Sequence, residues 1–389
     1  MKYNFDERID RVGTGALKYD MRRGVFGTDD VIPLWVADMD FRTAQPVIDA
    51  VEKAAKLGIY GYTAPTERFF NAAISWQKRR HGREIDPALI SWSQGVISSL
   101  AACIQLFTPV SGAVLIQPPV YHVFRNTITA CDRRVLEAPL QERDGRWHVD
   151  WQDFEDKLRR SDMFVLCNPH NPLGMVWGED DLHRMAELCL RHRVLMVSDE
   201  IHCDLLFHGK RHTSVANLSP RIAANTVTLF AATKTFNLAG LQSSLAVFPN
   251  RRMKNTFDHW WQRQTISFNN PIALPAVTAA FEEGDEWLDQ LLIYLNDNMT
   301  YVANFCRTRI PQIKTTPPDA TYLMWLDCRD LGLDCDGLRD FMIQKARLGL
   351  NEGRIFGHGG EGFMRLNAAC PRDLLKESMV RLETAVKAL

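Results

Sequence analysis

The chain has 389 residues, of which 46% are hydrophobic and 24% are charged, an ordinary globular composition that excludes a disordered chain and predicts a sizeable core. Its 46 basic and 47 acidic side chains leave a formal net charge of -1. This balance argues against nucleic acid or an anionic membrane as a main partner.

The nine cysteines are scattered and contain no Cys-x-x-Cys pair, which argues against a disulfide framework and against a structural zinc site. No apolar run approaches the ~18 residues of a membrane span, and the polar, acidic start shows no signal peptide. We therefore expect a soluble, cytoplasmic protein with reduced thiols.

Through the middle of the chain, short apolar runs alternate with amphipathic segments. The helix candidates are 123–134 and 179–193, and the second places Leu182, Met185, Ala186 and Cys189 on one face. The strand candidates, each rich in Val, Leu, Ile or Phe as buried parallel strands are, lie at 113–117, 164–167, 194–198, 227–231 and 244–248. This alternation predicts βαβ units, hence a doubly wound, mostly parallel sheet of the α/β class.

The end of the chain has a different pattern. A long helical stretch from Glu286 to Arg309 precedes a strand at 321–327, a helix near 337–347, a glycine-rich loop at 353–362, a strand at 363–368 and a final helix. We predict a large domain over 48–285 and a small α+β domain over 286–389, against which the N-terminal segment 1–47 packs.

Polar residues follow three of the predicted strands, at the sheet edge where α/β proteins bind ligands. Asn171 lies in an Asn-Pro turn at 168–174, Asp199 follows the strand 194–198, and Lys234 follows the strand 227–231. Taken singly, the segment around Asn171 could be a plain turn, and Lys234 could be a surface residue. Asp199 could be a metal ligand, a proton acceptor or the partner of a cationic ring nitrogen. A desolvated lysine, in contrast, has a depressed pKa and can act as a nucleophile.

Together with Tyr121, these turns resemble the fold-type I pyridoxal-phosphate enzymes of the aminotransferase class I/II superfamily, over essentially the whole chain. Five strings are similar to the cystathionine β-lyase branch, the MalY/PatB family of C–S lyases: LWVADMDF (34–41), YGYT (60–63), DEIHCDL (199–205), TKTFNLAGL (233–241) and RLNAACPR (365–372). Aminotransferases of this superfamily usually carry a tyrosine where His202 stands.

The resemblance implies roles for individual residues around pyridoxal 5′-phosphate. Lys234 would hold its aldehyde and move the proton at the substrate Cα, Asp199 would keep its ring nitrogen protonated, and Tyr121 would stack on its ring. Further cofactor contacts would come from Asn171 at the 3′ oxygen, from the helix N-terminus at Gly95, Val96 and Ile97 at the phosphate, and from His202, Thr233 and a neighbouring subunit's Tyr62.

Two positions depart from the aminotransferase pattern near the phosphate. Gln242 stands where many aminotransferases carry an arginine, and Ala231 stands where a serine is common. We therefore expect a phosphate site with less positive charge than in that branch.

For the substrate, the resemblance places Arg365 on the α-carboxylate, where a guanidinium fork matches a carboxylate, and Asn171, Ala37 and Trp35 beside it. Asp38 in the same string could be purely structural. The predicted function is β-elimination from L-cystathionine and other cysteine S-conjugates, giving a thiol, pyruvate and ammonia, by a homodimer. An aminotransferase with the same residues and a protein-binding regulator built on the same fold remain alternatives.

Overall fold

The computed structural model describes residues 3–266 and 269–389. Its strands, β1 to β14 in chain order, are Ile32–Pro33, Ile90–Ser93, Ala113–Ile116, Arg134–Glu137, Gln141–Arg143, Arg146–His148, Met163–Cys167, Leu195–Asp199, Thr226–Phe230, Ser244–Val247, Leu323–Asp327, Leu348–Gly349, Asn351–Glu352 and Phe363–Asn367. The helices, α1 to α15, are Leu17–Asp20, Arg22–Phe26, Gln45–Lys56, Glu67–His81, Val96–Phe107, Val123–Ala130, Trp151–Leu158, Glu179–His192, Pro220–Ala223, Ala232–Thr235, Arg251–Arg263, Ala273–Glu283, Asp285–Arg309, Cys335–Asp340 and Arg372–Lys387.

A seven-stranded sheet in the order β2-β10-β9-β8-β7-β3-β4 forms the centre of the molecule. Its strands are parallel except for β10, which runs antiparallel to both neighbours. The predicted α/β class with a mostly parallel sheet is confirmed. Expecting 244–248 to be a parallel strand was wrong, because the segment after β9 forms only the one-turn helix α10 and a short turn at the carboxyl edge, and β10 starts from that same edge.

Helices cover both faces of this sheet. Apolar side chains of α5 pack with β7, β8 and β9 on one face, and those of α7 and α8 pack with β3, β7 and β8 on the other. On α8 the predicted face of Leu182, Met185, Ala186 and Cys189 is buried. Because both faces are covered, ligands can reach the sheet only at its edges.

Two strands of the large sheet, β2 and β4, were not predicted, and one helix was predicted too long. The helix predicted over 123–134 ends at Ala130, since Asp132 has a φ of 59° in the left-handed region, and the chain then enters β4. The edge strand β4 is only partly buried, and β2 (ISWS) mixes serines with its apolar residues, so neither shows a continuous apolar run.

The end of the chain adds a three-stranded antiparallel sheet in the order β11-β14-β13. Strand β1 pairs in parallel with β12, joining Ile32 to Leu348, so the N-terminal segment is hydrogen-bonded to the C-terminal part. The boundaries at 47 and 285 stay predictions. None of the helices in the described ranges is both long and apolar enough to cross a membrane.

Candidate active site

A cavity of about 510 Å³ lies at the carboxyl ends of β7, β8 and β9, three neighbouring strands of the large sheet. It brings together most of the predicted site residues. Its lining comprises Ala37, Gln94, Gly95, Val96, Ile97, Ser98, Tyr121, Cys167, Asn171, Asp199, Ile201, His202, Thr233, Lys234, Ala239, Gln242 and Ser243. The convergence follows from topology, since parallel strands end at one edge.

Lys234 enters this cavity from α10, directly after β9, and its Nζ donates a 2.6 Å hydrogen bond to the carbonyl of Ala37. Part of the side chain is accessible through the cavity, yet the surrounding protein withdraws the amine from bulk water. Burial, reinforced by the positive charge of Arg365, lowers the pKa of Lys234 to about 8. The amine is therefore a usable nucleophile and base near neutral pH.

Asp199 ends β8 and is buried, with one carboxylate oxygen accepting a 3.1 Å hydrogen bond from the backbone N–H of Ile201. Burial raises the pKa of this carboxyl to about 7, and the charge of Glu200 raises it further, while Lys234 opposes the shift. The negative charge of this buried carboxylate is offset by few groups, so a cationic partner in the cavity would strongly stabilise its ionised form. A protonated ring nitrogen would be such a partner.

His202 also lines the cavity and is buried, and its Nδ1 has no hydrogen-bond partner among the described residues. Burial, followed by the charges of Lys234 and Arg365, lowers the pKa of His202 to about 3, so the ring is neutral. An unpartnered polar atom beside Asp199 fits a cavity built to hold a polar group. The predicted cofactor therefore fits the residues present.

Arg365 on β14 lies beside the cavity and is 3% exposed. Its guanidinium donates to the side-chain oxygens of Asn171 (3.0 Å) and Asn351 (2.7 Å) and to the carbonyl of Trp35 (2.9 Å). Burial lowers its pKa to about 10, so it is still a cation at neutral pH. No carboxylate within the described ranges forms an ion pair with it, and a buried cation without an anion suits an anionic ligand.

Tyr121 lines the wall of the cavity, with its ring held edge-on against His122 (5.4 Å between centroids) and Phe124 (5.7 Å). Burial raises the pKa of its hydroxyl, which stays protonated. A rigid aromatic ring in this place can stack on a flat ligand ring, and the stacking role of Tyr121 stays a prediction.

Helix α5 begins at Val96 after Gly95, both of which line the cavity, and no side chain in the described part of the chain caps its first turn. The free N–H groups of that turn suit an anion such as phosphate. Ser98, Thr233 and Ser243, which carry hydroxyls, also line the cavity. Gln242 lines the cavity as well. The cavity therefore has an amide at the position where many aminotransferases carry an arginine, in line with the expectation of less positive charge.

Several supporting residues were missed by the sequence analysis. Asn237 exchanges hydrogen bonds with the backbone of Met39 and donates to the carbonyl of Phe41, which ties the ADMDF string to the lysine loop. Asp204 accepts from Thr235, the residue after Lys234, at 2.7 Å, and also from Trp76 and His81. Asn237 lies in the string that contains Lys234, and Asp204 lies in the string that contains Asp199. Neither was singled out, because their hydrogen-bond partners lie far away in sequence.

Three of the residues discussed in the sequence analysis, Trp35, Tyr62 and Asp38, do not line the cavity that contains Lys234. The Trp35 ring lines a neighbouring cavity, and only its carbonyl reaches Arg365. Tyr62 is 89% exposed and does not line the cavity of its own chain. Asp38 pairs with Arg11 at 2.6 Å, which supports the structural alternative for that residue.

Comparison with known proteins agrees with this geometry. Residues 29–382 match the model of the family described as aminotransferase class I and II. The chain is 41% identical to cystathionine β-lyase PatB of Bacillus subtilis, covering 98% of this chain and 100% of the relative, and 32% identical to protein MalY of Escherichia coli, covering 100% of both. The crystal structure of cystalysin from Treponema denticola, which contains a pyridoxal 5′-phosphate cofactor, has a TM-score of 0.95 at 33% identity and covers 100% of both chains.

Proposed function

This chain belongs to the aminotransferase class I and II family, and we propose that it is a pyridoxal-phosphate-dependent carbon–sulfur β-lyase. It cleaves L-cystathionine and related cysteine S-conjugates to a thiol, pyruvate and ammonia. The observation that carries the proposal is the joint placement of Lys234, Asp199 and an unpaired buried cation, Arg365, around one cavity.

Pyridoxal phosphate, when bound, supplies an electron sink for the pair of electrons left when the substrate Cα loses its proton. We assign Lys234 to hold the cofactor, Asp199 to face its ring nitrogen, and Tyr121 and His202 to contact its ring, with Asn171 at its 3′ oxygen. Its phosphate would be bound by Thr233 and by the helix N-terminus at Gly95, Val96 and Ile97.

Arg365 would bind the substrate α-carboxylate and thereby orient the amino acid. Its partners Asn171 and Asn351 are neutral amides, so a carboxylate can add its charge without displacing another anion. With a pKa of about 8, the Lys234 amine can accept the Cα proton at neutral pH and later give it to the leaving sulfur. The Cβ–S bond breaks with both its electrons leaving on sulfur, while the Cα electron pair forms a Cα=Cβ bond. One water molecule then converts the released enamine into pyruvate and ammonia.

The experiment is pyruvate release from purified holoenzyme mixed with L-cystathionine and no keto-acid acceptor. Equal amounts of pyruvate and homocysteine are expected, and a Lys234→Ala variant should lose both the turnover and the yellow colour of the bound cofactor. Turnover that depends strictly on an added keto acid would overturn the lyase proposal in favour of transamination.

We also propose that the enzyme is a homodimer in which Tyr62 completes the partner's site. The segment around Tyr62 supports this, because Leu57, Ile59 and Tyr60 are 68%, 69% and 62% exposed, an apolar stretch that an isolated chain would leave in water. Mixing two inactive dimers, Lys234→Ala and Tyr62→Ala, tests it. Exchange of subunits should restore activity if Tyr62 acts across the interface, and should restore none if it acts within its own chain.

We place the protein in the cytoplasm, since all nine cysteines are free thiols and eight of them are buried. Unpaired thiols are typical of reducing compartments.

A further inference from the structure

A second cavity, of about 260 Å³, adjoins the Lys234 cavity. Arg365 lies between the two, because its partner Asn171 lines the first cavity while its partners Trp35 and Asn351 line the second. The neighbouring residues Tyr121 and His122 likewise line one cavity each. A substrate whose α-carboxylate binds Arg365 therefore lies beside the mouth of this second cavity.

The body of the second cavity is apolar. Phe26 and Trp35 pack edge to face at 5.7 Å, and Met342, Leu350 and Met364 are buried around them. Methylene groups and a thioether sulfur, which carry no charge and form weak hydrogen bonds at most, are the groups that such a wall accepts.

The rim of the same cavity is charged. Arg339 donates from Nε to Glu352 at 3.0 Å and from a terminal nitrogen to the carbonyl of Val25 at 3.4 Å, and its side chain is 40% exposed. Glu352 also pairs with Arg354 at 2.5 Å. Arg339 can therefore turn to another carboxylate without leaving Glu352 unpaired.

The geometry points to the second cavity as the binding site for the sulfur substituent of the substrate, with Arg339 as the specificity-determining residue that binds a carboxylate at the far end of the leaving thiol. This inference rests on the proposed lyase function. The expected substrates are cysteine S-conjugates whose leaving thiol is short, aliphatic and terminated by a carboxylate. Glu352 is placed to attract an ammonium group beside that carboxylate.

The test compares two probes with the holoenzyme, L-cystathionine and S-ethyl-L-cysteine, which share the cysteine half, while only L-cystathionine carries the far carboxylate and its accompanying ammonium group. For Arg339→Met we expect the ratio of their kcat/KM values to fall at least about tenfold, mostly through the KM for L-cystathionine, since a charge-assisted hydrogen bond is lost. The matched control is Arg221→Met, which removes another exposed, ion-paired arginine, paired with Glu187 at 2.7 Å, and should leave the ratio unchanged.

A second variant, Val25→Trp, narrows the cavity next to Arg339, since Val25 lines it and is 39% exposed. It should reduce the same ratio without removing a charge. An unaltered ratio in both variants overturns the inference while pyruvate release by the wild type upholds the proposed function. If the wild type releases pyruvate from neither probe, the proposed function itself is overturned, and this inference with it.

Discussion

The amine of Lys234 should react with pyridoxal phosphate far faster at neutral pH than an ordinary lysine does. Burial withdraws its ammonium form from water and Arg365 repels it, so its pKa falls to about 8, although Asp38 and Asp199 oppose the shift. At pH 7 roughly one such amine in ten is neutral, against about one in 2,500 for an exposed lysine with a pKa near 10.4. The reactive fraction is therefore about two hundredfold larger.

The assay is reconstitution of cofactor-free enzyme with pyridoxal phosphate between pH 6 and pH 10, followed by the appearance of the yellow colour. We expect the attachment rate to rise close to tenfold between pH 6 and pH 7 and to level off above about pH 8, where Lys234 is mostly neutral. A Lys234→Ala variant measures the background from surface lysines.

The variant Arg365→Met provides the internal check. It removes a positive charge that lowers the pKa of Lys234, so the levelling-off should move to higher pH while the reaction remains possible. A rate that keeps rising to pH 10 in the wild type would refute the reasoning, because it would show that the amine is solvated like a surface lysine.

Three further outcomes are expected. Lys18→Met should lower the free energy of unfolding by about 3 kcal/mol in urea denaturation. Lys18 is fully buried and pairs with Asp40 at 2.7 Å, so its loss removes a positive charge that stabilises this buried carboxylate. An unchanged midpoint would contradict this prediction. Gly353→Ala should lower the melting temperature, since an added Cβ would lie 2.0 Å from a backbone carbonyl, whereas Gly240→Ala, with nothing within 4 Å, should not. Arg365→Lys should lower kcat/KM at least about tenfold through KM, as one ammonium cannot form a two-bonded carboxylate contact, and an equal KM would refute its carboxylate role.

The central strands could be predicted because each is a compact apolar run, and such runs are typical of strands buried on both faces. The antiparallel direction of β10 could not be predicted, since its composition is like that of the parallel central strands and only the path of the chain between β9 and β10 decides its direction. The strand β4 could not be predicted because it is only partly buried and has no continuous apolar run, and the helix before it was predicted too long because the left-handed conformation of Asp132 leaves little trace in composition.

Within the site, Asn171, Asp199 and Lys234 could be predicted because each directly follows a strand, and parallel strands bring their ends together. Their environment could not. The carbonyl of Ala37 that accepts from Lys234 lies 197 residues away, and Asp204 supports the lysine turn through Thr235 only once the chain has folded. The Trp35 side chain belongs to the second cavity because its ring nitrogen donates to the carbonyl of Lys18.

The contacts of Arg365 also bear on the order in which a newly made chain becomes competent. Its partners Trp35 and Asn171 precede it by 330 and 194 residues, so both leave the ribosome long before the arginine is synthesised. Lys234 and Asp199 are likewise already present. An unfinished chain therefore has its reactive amine but no cation for the amino-acid carboxylate, and it cannot engage substrate until its last strand joins its first segment.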